Sequence, residues 1–267
     1  MKRKELFEFE DFEWLPSVVR FGITNLIIVF HRLMGTAQVI SRLIVQVREQ
    51  HHFTQITDLG SGSGGPMPEV ITILNADHKI EELTLLLSDK YPSPQVIEET
   101  NNKELKNVKY STTSIDAQEI GKAPKGLKTM IASFHHMNPT TAKSILRSAQ
   151  ENREPLLIYE VAKNNIPFIV WLVLLPVSLV ILILMSLVMT PFVRPLSIGQ
   201  MVFTYIIPLI PLIYAWDGQA SLMRTYTFDD IRSLLEGHEQ SDYHWEISDA
   251  KNEKGKKVGY YIMGYPK

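Results

Sequence analysis

The sequence predicts an α/β fold: a doubly wound, mostly parallel seven-stranded sheet with an inserted apolar helical hairpin. Three observations predict it. Short apolar segments typical of buried strands alternate with helix-compatible segments over residues 55–161, and such alternation favours a parallel sheet covered on both faces. Two further strand-like segments near the end of the chain read as a hairpin. Between these groups lies an apolar block with almost no charge.

Bulk composition limits the possible functions. The chain has 267 residues, with 27 Lys+Arg against 29 Asp+Glu. This balance gives no indication of a nucleic-acid partner, and we expect none. The absence of cysteine excludes disulfides and thiolate metal ligands, and no metal site is predicted. The first residues lack a clean apolar region, so we expect no cleaved signal peptide.

Residues 16–49 are predicted to be helical, because apolar residues recur there at steps of three and four. Gly35 is expected to break or bend this helix. The strand-like segments that follow are 55–60, 82–89, 108–116, 128–134 and 155–161, and "NPTTAKSILRSAQEN" is a helix with Asn138 as its N-cap. Residues 227–237 form a further helix, and the closing strands are "YHWEISDA" and "KVGYYIMGYP".

The apolar block is an insertion between the fifth strand and the last helix. No Asp, Glu, Lys or Arg occurs from Asn164 to Val193 or from Pro195 to Trp216, and Arg194 stands alone between the two stretches. A bilayer core needs about 20 apolar helical residues, which the first stretch exceeds. A fully buried helix of a soluble core is the alternative. Because strands on both sides of the block must share one sheet, the block must cross a membrane an even number of times, or dip in and return.

The segment "DLGSGSGG", residues 58–65, joins a predicted strand to a predicted helix. Glycines in that position allow a tight turn and let a ligand approach bare backbone. An ordinary glycine turn and a dinucleotide site are alternatives, since dinucleotide enzymes share the pattern. Asp58 favours a cationic amino-acid moiety, because a carboxylate there would repel a pyrophosphate.

Two further acids follow predicted strands. Asp89 ends the second strand, at a suitable distance along the chain to bind ribose hydroxyls, and Asp116 ends the third, where it is suited to accept from an adenine amino group. Each acid alone is more often a solvated residue at a strand end. Together they point into the crevice where open α/β sheets bind ligands.

With these motifs the chain resembles the class I S-adenosylmethionine-dependent methyltransferases, and in particular a bacterial branch with "SFHH" and "WDG..S..RTYT" elements. The resemblance covers roughly residues 50–162 and 220–267. It implies S-adenosylmethionine as cofactor. The expected cofactor-binding residues are Asp58, Gly60, Ser61, Gly62 and Gly64 at the methionine end, Asp89 at the ribose and Asp116 at the adenine, together with Ser133. The nucleobase amino-methylase motif is absent after the fourth strand, and most of the superfamily lacks the insertion.

The "SFHHM" turn, residues 133–137, lies where the resemblance places the methyl group. Methyl transfer requires an aligned nucleophile and, for a hydroxyl, removal of a proton. His135 or His136 is the candidate base; the alternative is that one caps the next helix or packs under the sheet. In "WDGQASLMRTYT", Asp217, Arg224 and Tyr226 are expected to anchor the hairpin, although substrate contact or lipid headgroup contact is the alternative.

These expectations give four segments: a helical cap (1–50), a cofactor-binding α/β half (51–162), a membrane-associated hairpin (163–220) and a helix with a strand hairpin that completes the sheet (221–267). The predicted function is methyl transfer at a membrane, with the catalytic domain on the cytoplasmic side, to a hydrophobic or lipid-like acceptor. Oxygen is the first choice of methylated atom, with carbon or nitrogen open. A nicotinamide-dependent oxidoreductase and a non-catalytic membrane protein are the alternatives.

Overall fold

A computed structural model describes residues 1–237 and 242–267. Its centre is a seven-stranded sheet of order β3-β2-β1-β4-β5-β7-β6, in which β7 runs antiparallel to both of its neighbours. The predicted doubly wound, mostly parallel sheet is therefore confirmed. The strands are β1 (Gln55–Leu59), β2 (Thr84–Ser88), β3 (Val108–Tyr110), β4 (Leu127–Ile131), β5 (Leu156–Glu160), β6 (Tyr243–Lys251) and β7 (Lys257–Pro266).

Packing divides the described chain into two compact units. The sheet unit comprises Gly35–Val161 and Phe228–Lys267, and the helical unit comprises Met1–Met34 and Ala162–Thr227. The sheet unit contains α2 (Thr36–Gln50), α3 (Met67–Ala76), α4 (Pro94–Asn102), α5 (Pro139–Glu151) and α9 (Phe228–Leu235). The helical unit contains α1 (Ser17–Met34), α6 (Phe168–Met189), α7 (Ile198–Met201) and α8 (Leu209–Arg224).

The first 50 residues form two helices rather than one. Gly35 adopts a left-handed φ of +63° between α1 and α2, a conformation that glycine accepts without strain. The predicted break at Gly35 is therefore observed, and it coincides with the boundary between the units. The packing groups α1 with the apolar insertion, whereas the sequence analysis grouped it with α2.

The third strand is shorter than predicted. It ends at Tyr110 rather than Asp116, because the Ser and Thr side chains that follow bond to nearby backbone. Ser111 Oγ donates to Thr113 O at 2.8 Å and accepts from Thr113 N at 3.2 Å. Such local bonds compete with a strand ladder. Asp116 consequently lies in a loop after β3, where its side chain caps a short 3₁₀ helix.

Two antiparallel helices dominate the helical unit. Trp171, near the start of α6, donates from Nε1 to Gln219 near the end of α8 at 3.0 Å, whereas Thr190 after α6 contacts Thr204 before α8. In the most apolar window of Phe168–Phe192 only 6% of residues are buried. The alternative of a fully buried core helix is therefore wrong. By length and composition, Ser17–Met34 and Phe168–Phe192 are each able to cross a membrane, and a bent pair, Ile198–Ile206 with Leu209–Arg224, is a possible third.

A buried ion pair lies at the amino end of β4. The Lys128 ammonium is fully buried and donates to Glu154 Oε2 at 2.9 Å and to Gly126 O at 2.8 Å. The same carboxylate oxygen accepts from Gly126 N at 3.0 Å. Burial lowers the pKa of the Lys128 ammonium, and Glu154 opposes that shift. The pair thus ties β4 to the segment that begins β5.

We expect Lys128→Met to destabilise the protein by about 3–5 kcal/mol, because the variant leaves the Glu154 carboxylate buried without its cation. Thermal or urea unfolding of the detergent-purified protein measures the loss. Lys125→Met, which removes an exposed lysine from the segment just before β4, is the control and should unfold as the wild type does. A Lys128→Met protein as stable as the control would contradict this account of the pair.

Candidate active site

The turn after β1 depends on its glycines. Gly60, Gly62 and Gly64 have φ values of +67°, +50° and +92°, a region that residues with a Cβ rarely adopt. A Cβ on Gly60 would lie 3.5 Å from Ser133 Oγ, and one on Gly64 would lie 3.0 Å from Leu87 Cδ1. The turn is therefore a strip of bare backbone bordered by the end of β4.

Asp58 lies under this turn and not on its surface. It is 3% exposed, and each carboxylate oxygen accepts a hydroxyl hydrogen bond of 2.6 Å, one from Ser61 and one from Thr129. Burial raises the pKa of the Asp58 carboxyl to about 7, although these two hydrogen bonds lower it. Asp58 thus fixes Ser61 in the turn and connects β1 to β4.

The peptide groups of Gly62 are held by two strands. Gly62 N donates to Asp89 Oδ2 at 3.1 Å, and Gly62 O accepts from the Tyr110 hydroxyl at 2.8 Å. Burial raises the pKa of Tyr110, with Asp89 and Asp58 acting in the same direction, so the hydroxyl stays protonated and able to donate. Two residues that were predicted separately as cofactor-binding, Gly62 and Asp89, are therefore in contact. Tyr110, which was not predicted, holds the same glycine.

Asp116 joins this group through Lys90. Lys90 Nζ lies 2.7 Å from Asp116 Oδ2, and Gln118 N donates to the other carboxylate oxygen at 2.9 Å. Burial raises the pKa of Asp116, but the bonds from Lys90 and Gln118 outweigh it and hold the pKa below its usual value. Asp116 borders a cavity of about 320 Å³ with eight further lining residues: Leu86, Ser111, Thr113, Ser114, Ile115, Glu119, Lys122 and Pro124.

The end of β4 carries a strained bend and an unsatisfied hydroxyl. Ala132 has a left-handed φ of +52°, which costs a residue with a Cβ about 1–2 kcal/mol. Its N–H donates to Tyr159 O at 2.8 Å. The Ser133 Oγ that follows is buried and has no hydrogen-bond partner among the described residues. A buried hydroxyl of this kind calls for a partner that the described residues do not supply.

His135 is held by a carboxylate that the sequence analysis did not identify. His135 Nδ1 lies 2.9 Å from Glu160 Oε2, and His135 N donates to Glu160 Oε1 at 3.0 Å. Glu160 is 1% exposed and ends β5. The His136 ring lies beside that of His135, with centroids 4.3 Å apart. The sequence did contain a signal for Glu160: it is an acid at the end of an apolar strand, the same pattern that predicted Asp89.

The predicted site residues therefore lie at one edge of the sheet, at or after the carboxyl ends of β1 to β4, and the unpredicted Glu160 lies at the end of β5. The bonds join Asp58 to Ser61, Gly62 to Asp89, and Lys90 to Asp116. By contrast, Asp217 and Arg224 belong to the helical unit. Asp217 accepts from Phe9 N and Glu10 N, and Arg224 pairs with Glu8. Arg3 lies over the Tyr226 ring. These contacts lie within the helical unit, where they hold the N-terminal residues against α8. Anchoring of the hairpin to the sheet unit stays a prediction.

Sequence comparison and structural comparison give different results. No protein-family model matches the chain, and no curated protein does. Among solved structures, the chain is similar to the plantazolicin methyltransferase BamL in complex with a triazolic desmethylPZN analog and SAH. The identity is 12% and the TM-score 0.51, and the match covers 94% of this chain and 98% of BamL. It is also similar to the plantazolicin methyltransferase BpumL, in complex with SAH, at 10% identity and a TM-score of 0.51, covering 94% and 97%.

At such identities the likeness establishes the fold. It agrees with the strand order and with the antiparallel β7 of the sheet unit. The resemblance predicted from the glycine turn and the strand-end acids is confirmed at this level: the chain has the Rossmann-like fold of the class I S-adenosylmethionine-dependent methyltransferases.

Proposed function

We propose that the protein is an S-adenosylmethionine-dependent methyltransferase that works at a membrane surface on a hydrophobic or lipid-like acceptor, with oxygen as the favoured methylated atom. The observation that carries this proposal is the bond between Gly62 N and Asp89 Oδ2. It brings a bare glycine turn and a strand-end carboxylate to one point, beside the unsatisfied hydroxyl of Ser133.

The residues present fit this cofactor. Gly60 and Gly62 leave space for a close approach to the backbone, Asp89 offers acceptors for two ribose hydroxyls, and Ser133 has a free hydroxyl next to Gly60. When bound, S-adenosylmethionine supplies an activated methyl group on a sulfonium. In this proposal Asp58 acts at the methionine end through Ser61, and Gly64 allows the turn to close against Leu87.

Asp116 is the proposed partner of the adenine amino group. Its carboxylate already accepts from Lys90 and Gln118, so an adenine would share an acceptor that is fixed in place. The cavity beside Asp116 also presents Ser111 and Ser114. Asp89 and Asp116 are close along one edge, because Ile115 N donates to Asp89 O at 3.0 Å.

His135 is the proposed general base, and Glu160 is its positioning residue. In this proposal the carboxylate at Nδ1 favours the tautomer that carries the proton on that nitrogen, and Nε2 is the ring nitrogen that takes the proton of an acceptor hydroxyl. The second bond, from His135 N to the same carboxylate, fixes the backbone as well. His136 remains the alternative base, since its ring lies next to that of His135.

Membrane attachment follows in this proposal from the apolar insertion of the helical unit, which lies in the chain between β5 and α9. Because β5 and β7 are neighbours in one sheet, both ends of the insertion leave the same body. An apolar acceptor is concentrated in a bilayer, and attachment keeps the sheet unit, with its candidate active site, beside that acceptor. We place the sheet unit on the cytoplasmic side. Among the solved structures of similar fold, BamL holds an analog of desmethylPZN, and we take that as support for a small-molecule acceptor only.

Asp89→Asn should weaken binding of S-adenosylmethionine by about 10- to 100-fold, since a hydrogen bond to a charged group contributes about 1.5–3 kcal/mol. Isothermal titration of the detergent-purified protein measures the affinity. Asp77→Asn, at an exposed acid after α3, is the control. Binding of NADH that Asp89→Asn abolishes would favour the oxidoreductase, and binding of neither nucleotide would favour a non-catalytic protein.

His135→Gln should lower kcat by about 100- to 10,000-fold, the usual contribution of a general base, with the affinity for S-adenosylmethionine unchanged. Glu160→Gln should lower kcat by a smaller factor, because the histidine stays but loses its fixed orientation. The measurement is transfer of a labelled methyl group, with His78→Gln as control. An active His135→Gln beside an inactive His136→Gln would move the base to His136.

The acceptor class is tested by incubating the protein with membrane lipid extracts and methyl-labelled S-adenosylmethionine. We expect label in a lipid or isoprenoid fraction, in a form that resists mild base if the product is an ether. Asp89→Asn protein is the control and should leave the extract unlabelled. Label that appears only in water-soluble metabolites would contradict the hydrophobic acceptor while leaving methyl transfer intact.

A further inference from the structure

The helical unit has two unlike flanks, and α8 separates them. On one face of α8, Gln219 accepts from Trp171 Nε1, and a Cβ on Gly218 would lie 3.3 Å from Leu182 Cδ1. That face packs on α6. Asp217, Ser221 and Arg224 follow one another at steps of four and three, so they share a different face. That second face holds the N-terminal segment, defined here as residues 3–16.

The α6 flank is apolar and exposed. Many of its large side chains are more than half exposed, and no Asp, Glu, Lys or Arg occurs between residues 164 and 193. The tip of the hairpin, defined here as residues 194–207, continues this surface, with Ile198 84% and Ile206 74% exposed. An apolar surface of this extent marks a contact with lipid or protein. The most exposed α6 side chains are Ile169, Val173, Val177 and Val188.

The opposite flank is charged. The Asp217 carboxylate accepts from Phe9 N at 2.8 Å and from Glu10 N at 3.2 Å. Arg224 Nη1 lies 3.2 Å from Glu8 Oε1. The N-terminal segment therefore follows the second half of α8 and brings its charged residues with it, among them exposed Glu13. Charged side chains in the hydrocarbon core are costly, so hydrocarbon is unfavourable around this half of α8.

Aromatic rings lie on the charged flank. Phe7, Phe12 and Trp14 are 50%, 37% and 65% exposed, and the Phe7 ring packs on Trp216 with centroids 5.0 Å apart. The Phe12 and Trp14 rings are stacked at 5.6 Å. Exposed aromatic rings among charged neighbours are typical of the lipid–water interface.

We propose that the helical unit lies in one leaflet of a bilayer and does not cross it. Its α6 flank and hairpin tip enter the acyl chains, its aromatic rings lie at the interface, and the N-terminal segment stays in the headgroup region. The 79° bend between Ile198–Ile206 and Leu209–Arg224 agrees with a chain that enters and turns back. The partner is the lipid bilayer surface. The inference goes beyond the proposed function, which requires only attachment.

The absence of cysteine in the chain permits a direct test by single introduced thiols. Leu196→Cys marks the tip, Glu13→Cys marks the N-terminal segment, and Lys254→Cys, in the exposed turn between β6 and β7, reports the side of the sheet unit. The full chain is expressed in membranes, and sealed right-side-out and inverted vesicles are exposed to a membrane-impermeant maleimide. Circular dichroism confirms that each variant is folded.

We expect Glu13→Cys and Lys254→Cys to be labelled in the same vesicle preparation. Leu196→Cys should react about ten-fold more slowly than Lys254→Cys in that preparation, because acyl chains cover it, and it should stay unlabelled in the other. Once detergent is added, the two thiols should react equally. Labelling of Leu196→Cys from the side opposite Lys254→Cys would overturn the proposal in favour of a spanning hairpin.

Two further results would also overturn it. Rapid labelling of Leu196→Cys from the Lys254 side would place the tip in water. Protection of Glu13→Cys would place the N-terminal segment within the bilayer, and its labelling from the opposite side would place that segment across the bilayer. The readout is chemical accessibility and not methyl transfer. A failure of the proposed enzymatic activity would therefore leave this test unaffected.

Discussion

The pairing of β5 with β7 is the constraint on which the rest of the structure depends. The two strands are antiparallel neighbours over residues 156–160 and 260–264, yet the whole apolar insertion lies between them in the chain. Closing the sheet therefore requires the chain to return to the same sheet after the insertion. It also fixes the end of β5, where Glu160 holds His135.

The two turns of the candidate site are held differently by hydrogen bonds. The glycine turn is held by hydrogen bonds from three strands, through Asp58, Asp89 and Tyr110. The histidine turn after β4 follows a strained bend, and the Glu160 carboxylate accepts a hydrogen bond from its backbone. In the proposed function, this arrangement separates a firmly held cofactor site from a region where the acceptor chemistry is able to vary. This division is common where one fold supports many reactions.

Much of the fold was predictable, because local sequence decides it. The alternating segments gave the strands β1, β2, β4 and β5, the glycines gave the turn, and Asn138 gave the N-cap, which the hydrogen bond from Thr141 N supports. The third strand was predicted too long, since Ser111 and Thr113 bond to their own backbone, and no apolar pattern reports that competition.

Long-range partners were the part that the sequence did not reveal. Glu160 holds a residue in the turn after the neighbouring strand, and Tyr110 donates to Gly62 O. Asp217 accepts from a backbone amide 208 positions away. Each role arises from where the fold brings two distant segments together. The types of the residues were visible in the sequence, whereas their partners required the fold.

The bend at Ala132 has a consequence for how such a protein would evolve. A left-handed alanine persists only where its surroundings outweigh its cost, and here the adjacent strand provides the hydrogen bond that retains it. The direction of the His135 and His136 rings therefore depends on the position of β5. Substitutions that shift the end of β5 would therefore also change the direction of the two imidazoles.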